Sequence, residues 1–179
     1  GQDLAVAAEE YMKANGYPVQ GYNWEFNLIE DDDTINAWCM PGGKVAVYTG
    51  LLPVAKNENG LAVVMSHEIA HALADHGNER MSQAMLTELG SVALSVALKD
   101  QPAKTQQIFM KSYGLGSQVG VLLPYSRLHE SEADRIGLNI MAMAGYDPRE
   151  AISFWQRMNE ASKGQRPPEL LSTHPAPES

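Results

Sequence analysis

The stretch Asn59-Gly60-Leu61-Ala62-Val63-Val64-Met65-Ser66-His67-Glu68-Ile69-Ala70-His71-Ala72-Leu73-Ala74 decides the fold. Its length and near-continuous apolar content read as a core helix that begins at Asn59 or Gly60 and runs through Ala74 or beyond. Three titratable residues interrupt it, His67, Glu68 and His71. Burying such groups is costly unless each finds a partner. Residues four apart share a helix face, so His67 and His71 can both present an imidazole nitrogen to one ion. Glu68 lies about 100° around from His67, beside that ion. A carboxylate there can deprotonate a water activated by zinc. One turn of helix thus supplies two ligands and a base.

A catalytic zinc needs a third protein ligand and an open fourth position. A continuation with Gly at position 74 and His at position 77 is ruled out by Ala74 and Gly77. His76 follows His71 by five residues, points off the metal face and is expected at a helix end or on the surface. The other solution is a carboxylate from a second helix. His129-Glu130-Ser131-Glu132-Ala133-Asp134 offers three acids. Glu130 and Asp134 share a face, whereas Glu132 is about 200° from Glu130. With Glu130 as ligand, Asp134 can accept the second ring N–H of a zinc histidine and fix its tautomer. Spacing favours Glu130 and leaves Glu132 as the alternative.

Outside these segments the chain narrows the function classes. Its 179 residues carry 13 Lys plus Arg against 22 Asp plus Glu, a formal net charge of −9. Such a surface repels phosphate backbones and anionic lipid, so nucleic acid is not an expected partner. Cys39, the single cysteine, cannot form an internal disulfide. No stretch approaches the roughly eighteen apolar residues of a membrane span. The opening GQDLAVAAEE has no basic lead into an apolar run, so it does not read as an export signal.

Leu4–Asn15 has helical spacing and ends at an Asn15-Gly16 pair. Tyr22, Trp24, Phe26 and Leu28 alternate with polar residues, a period of two that predicts a strand. Asp31–Asp33 should turn the chain into a second strand, Thr34–Met40, and Pro41-Gly42-Gly43 into a third, Lys44–Thr49. Short strands joined by tight turns predict an antiparallel meander. Helices follow at about Arg80–Lys99, Thr105–Tyr113, Ser126–Ala144 and from Asp147-Pro148 to about Ser162. Gly114–Gly120 is expected to be mobile and the tail from Gln165 irregular. The expected fold class is α+β, mostly helical, with a small antiparallel three-stranded sheet beside the His67–His71 helix, all in one domain over residues 1–179.

HEIAHALADH with the downstream ESEADRIGL resembles the zinc metallopeptidases that include the CAAX prenyl endopeptidases, Oma-type proteases and the bacterial β-barrel assembly-enhancing protease. In these gluzincins Glu-x-x-x-Asp supplies the third ligand and a carboxylate behind it. The resemblance therefore implies Glu130 as ligand and Asp134 as its partner. Asn36–Gly43 is similar to the family's active-site edge strand, and Leu170–Pro175 to its His-Pro segment. By that similarity Ala37, Trp38, Cys39 and Met40 would pair with an extended substrate, and His174 would either steady an oxyanion or close the fourth zinc position. The implied protein is a one-zinc endopeptidase acting on extended or misfolded protein in the periplasm or cell envelope, with peripheral membrane association. The competing expectation is a chaperone-like assembly factor that holds client strands on that edge with little proteolysis.

Overall fold

A computed structural model of the chain describes residues 1–163 and 168–174. They form two compact units, Gly1–Asp75 with Glu130–Ser179, and His76–His129.

In the first unit, α1 (Gln2–Asn15) buries Leu4, Ala7, Ala8 and Met12 at helical spacing. It stops at Gly16, whose φ of 76° is left-handed backbone that glycine adopts without strain. Three strands follow, β1 (Glu25–Ile29), β2 (Ala37–Met40) and β3 (Lys44–Tyr48). The sheet order is β1-β3-β2. β3 is antiparallel to β2, with Trp38 opposite Ala46, but parallel to β1, with Asn27 opposite Ala46. The sheet is therefore mixed, which corrects the expected antiparallel meander. The reversal after β1 does occur, and it is held by Thr34 Oγ1 donating to Asp31 and by the Asp31 N–H donating to Thr49 Oγ1. The chain then steps two strand spacings across, about 10 Å. The Pro41–Gly43 hairpin returns β3 into the slot between. Val45, Ala46 and Val47 are consequently buried in the central strand.

After a short helix, α2 (Leu52–Ala55), α3 spans Glu58–Leu73. Asn57 caps it, its side chain accepting from the Gly60 N–H at 3.0 Å. Gly60 and every residue from Ala62 to Leu73 is buried, so α3 is covered on all sides. α6 (Leu123–Met143) and α7 (Glu150–Ala161) supply Ile136, Ile140, Met141, Phe154 and Met158 to the same core. Each such side chain stabilises the fold by about 1.5–3 kcal/mol. Asp147 Oδ1 accepts from the Arg149 N–H at 3.0 Å, a cap for the turn leading into α7. Within the expected irregular tail, Glu169–Thr173 forms α8, anchored by a fully buried Leu170 whose N–H donates to Ile35 O. Pro175 lies outside the described residues.

The second unit holds α4 (His76–Ala97) and α5 (Ala103–Ser117), then a π-helical turn over Gln118–Leu122. Tyr113 joins the two helices, its hydroxyl donating to Thr87 O at 3.0 Å beside Gly90. Gly114–Gly120, the stretch expected to be mobile, lies in α5 and the π-helical turn. A glycine costs a helix only about 1 kcal/mol, which helical continuity on both sides outweighs. His76 begins α4 but is 3% exposed, stacked on His129 with ring centroids 4.3 Å apart. It is a helix-end histidine, not a surface one.

Candidate functional site

α3 and α6 carry the site, and both histidines of α3 face α6. His67 Nε2 and His71 Nε2 are 3.1 Å apart. Glu130 completes a triangle with them, Oε2 3.3 Å from His67 Nε2 and Oε1 3.4 Å from His71 Nε2. A tetrahedron with bonds of 2.0–2.1 Å has edges of about 3.4 Å. The three donors therefore stand at the spacing that a tetrahedral ion requires, and two imidazoles with a carboxylate suit zinc or a similar divalent metal. Glu132, on the other side of α6, is not in this group.

Asp134 lies one turn beyond Glu130. The Nδ1–H of His67 donates to its Oδ1 at 2.9 Å, which leaves Nε2 as the ring atom turned to the triangle, a ligand once its proton gives way to a metal. Burial opposes charge on His67, but the hydrogen bonds from Asp134 and Glu130 outweigh it and raise its pKa to about 10. Burial lowers that of His71 to about 3. Glu130 is held well below the usual carboxylate range: burial opposes its charge, but hydrogen bonds to His174, His67 and His71 prevail.

α8 delivers His174. Its Nδ1–H donates to Glu130 at 3.0 Å, and its Nε2 lies 3.5 Å from Glu68 Oε1. One ligand atom from each of His67, His71, Glu130 and His174 falls within 4.8 Å of the others. Glu68 is 4% exposed on α3. The residues expected from sequence at the centre, His67, Glu68, His71, Glu130, Asp134 and His174, are thus brought together.

β2 is an edge strand of its sheet. Ala37 is buried, Trp38 and Cys39 are half-buried, and Met40 is 53% exposed. Burial, with the charge of Glu68 adding to it, pushes the Cys39 thiol up to about 12. Cys39 behaves as a small hydrophobe.

Two contributors were not singled out in the sequence. Trp155 of α7 packs edge-on against the His67 ring, with centroids 5.4 Å apart. Gly137 of α6 lies where α6 touches the α3 backbone, and a Cβ there would meet His67 N at 3.0 Å and Ser66 O at 3.1 Å. A glycine inside a helical pattern three residues after Asp134 was the available signal. A largely apolar cavity of about 340 Å³, lined by Val63, Leu138, Ile152 and Trp155, adjoins the His67–Asp134 pair.

The chain is similar to the mitochondrial metalloendopeptidase OMA1 of Schizosaccharomyces pombe, at 41% identity over 157 residues, 86% of this chain and 43% of that protein. For the OMA1 of Saccharomyces cerevisiae the identity is 35% over 97% of this chain and 49% of the relative. For the β-barrel assembly-enhancing protease of Escherichia coli it is 33% over 87% and 32%. The chain thus spans less than half the length of these relatives. Residues 2–179, all but the first residue, match Peptidase family M48, and with the donor triangle and its adjacent glutamate the chain belongs to that family.

Proposed function

We propose that residues 1–179 act as the peptidase domain of a zinc-dependent metalloendopeptidase, with one zinc held by His67, His71 and Glu130. The observation that carries this is the triangle of donors 3.1–3.4 Å apart, with Glu68 next to it on the same helix. Zinc bound there would supply Lewis-acid polarisation of a scissile carbonyl and a water nucleophile near neutral pH. Glu68 would take the proton from that water and pass it to the leaving amine. Asp134, through the His67 Nδ1–H, holds one ligand in its tautomer and orientation. His174 stands against both Glu68 and Glu130, with a ligand atom within 4.8 Å of those of His67, His71 and Glu130. This position supports its reading as an occupant of the fourth site, a latent arrangement that substrate must displace.

The substrate reading is an extended or misfolded polypeptide added to the open edge of β2 along Ala37, Trp38, Cys39 and Met40. Backbone pairing of this kind tolerates many sequences. Relatives are named as mitochondrial and as β-barrel assembly-enhancing, which supports a place at a cell or organelle envelope. Among the described residues no helix is long and apolar enough to cross a membrane.

The test is metal content by mass spectrometry together with hydrolysis of an unfolded fluorogenic protein. One zinc per chain is expected, and Glu68→Gln should keep it while losing about 10²–10⁴-fold in rate. Wild-type hydrolysis by Glu68→Gln would falsify the mechanism.

A further inference from the structure

The second unit carries many of its large apolar side chains outward. On α4, Met81, Met85, Leu89, Val92 and Val96 recur every three or four residues, all between 51% and 65% exposed. They form one stripe along a helix about 33 Å long. The face that α4 turns inward has Gln83, Thr87, Gly90 and Ser91 half-buried, with Leu94 and then Leu98 following toward its C-terminal end, and Tyr113 bonded to Thr87. On α5, Met110 and Tyr113 are half-buried with Thr105, Gln106 and Ser117, while other apolar residues face outward. Ile108 and Leu115 are each 56% exposed and Phe109 is 53% exposed. An ordinary amphipathic hairpin would bury these residues and expose the others. A contiguous apolar stripe of this length is uncommon on a protein surface and marks an interaction site.

Charge indicates what the face meets. The chain as a whole is acidic, 13 Lys plus Arg against 22 Asp plus Glu. Residues 76–129 reverse this, with Arg80, Lys99, Lys104, Lys111 and Arg127 against Glu79, Glu88 and Asp100. Two lysines lie on the apolar side of α5: Lys104, Ile108, Lys111 and Leu115 are four, three and four residues apart. Lys99 sits in the turn just past α4, and all three lysines are exposed. Apolar side chains bordered by long cationic ones suit the boundary between acyl chains and anionic headgroups, where the methylene stems lie on the apolar surface and the ammonium groups reach phosphate. Neither helix qualifies as a membrane span. We infer that the α4–α5 hairpin docks on an anionic lipid surface, lying in its interface with the α4 stripe inserted and Lys99, Lys104 and Lys111 at headgroup level.

The experiment is sedimentation of the purified chain with vesicles of phosphatidylglycerol and phosphatidylcholine, and with vesicles of phosphatidylcholine alone, at low and high salt. It reads binding alone, so it is independent of zinc and of hydrolysis. The wild-type chain is expected to pellet with the anionic vesicles and to bind the neutral ones at least about tenfold more weakly. Leu89→Glu with Val92→Glu should weaken anionic binding by at least about tenfold. So should Lys104→Glu with Lys111→Glu, which leaves the stripe intact and serves as the second variant if the first loses helicity by circular dichroism. A wild-type chain that stays in the supernatant overturns the inference, as does equal binding to both vesicle types. So does a concentration-dependent dimer, seen by light scattering and abolished by Leu89→Glu with Val92→Glu, in a chain that does not bind vesicles; the face would then join two copies.

Discussion

Gly137→Ala tests whether the metal site depends on how closely α3 and α6 approach. The added methyl would stand 3.0 Å from His67 N and 3.1 Å from the carbonyl carbon and oxygen of Ser66, where ordinary contact begins near 3.4 Å. All three neighbours are backbone atoms of a helix buried on every side, so none can swing away alone. The helices must part by a few tenths of an ångström, at an overpacking cost of about 1–3 kcal/mol. Alanine returns about 1 kcal/mol of helix propensity. The net effect on the metal-free protein is a loss of about 0–2 kcal/mol. The site should suffer more, because Glu130, Asp134 and Gly137 share one face of α6. Parting the helices stretches the 2.9 Å bond from His67 to Asp134 and the 3.3–3.4 Å edges from Glu130 to the two histidines. Such constellations tolerate about 0.5 Å. Zinc affinity, read by competition with a chromogenic chelator, should fall about tenfold, with urea denaturation reporting stability in parallel. A variant that gains about 1 kcal/mol and binds zinc as the wild type does would show that this close approach positions nothing.

The other expectations rest on separate contacts. Asn57→Ala removes the cap on the Gly60 N–H and should cost about 1 kcal/mol, a fall of roughly 2–4 °C in Tm by calorimetry, with zinc affinity unchanged. The Cys39 thiol, pushed up to about 12 by burial, should resist iodoacetamide near neutrality. Its alkylation rate should climb roughly tenfold per pH unit in the alkaline range, and urea should restore the reactivity of an ordinary thiol. His174→Ala should raise the rate on an unfolded fluorogenic substrate, because the ring that lies against Glu68 and Glu130 is removed. A fall in rate would instead make His174 a donor to the developing oxyanion.

Much of the centre was legible in the sequence because it rests on short-range geometry, although the choice of Glu130 over Glu132 and the part of His174 came from the resemblance to a family. His67 and His71 are fixed relative to each other by one helical turn, and Glu130 and Asp134 by another. Helix periodicity alone determines which of these side chains share a face. What periodicity does not encode is the distance between helices, so Gly137 and Trp155 passed as ordinary helix residues although one sets the approach of α6 and the other walls the His67 ring. The sheet was misread for a related reason. Asp31–Asp33 announced a reversal, but a turn signal carries no information on how many strand spacings the chain crosses, and here it crosses two. Likewise, the Pro-rich tail gave no sign of α8, whose stability comes from burying Leu170 and from its bond to Ile35 rather than from local propensity.

The same limit applies to α4 and α5, and there it changes the chemistry expected of the surface. A stripe such as Met81, Met85, Leu89, Val92 and Val96 indicates one coherent face, and the usual assumption is that the face is covered. Its 51–65% exposure means that the inward face is instead the one with Gln83, Thr87 and Ser91 beside Leu94, joined to α5 through Tyr113 and Thr87. Net charge misleads in the same way. A value of −9 describes the average surface and argues against anionic lipid, yet a lipid headgroup within a Debye length of Lys104 and Lys111 senses mainly the local excess of cations on residues 76–129. Charge that is segregated along the chain must be summed over the surface a partner can reach. On that scale the hairpin is cationic and apolar while the chain as a whole is acidic.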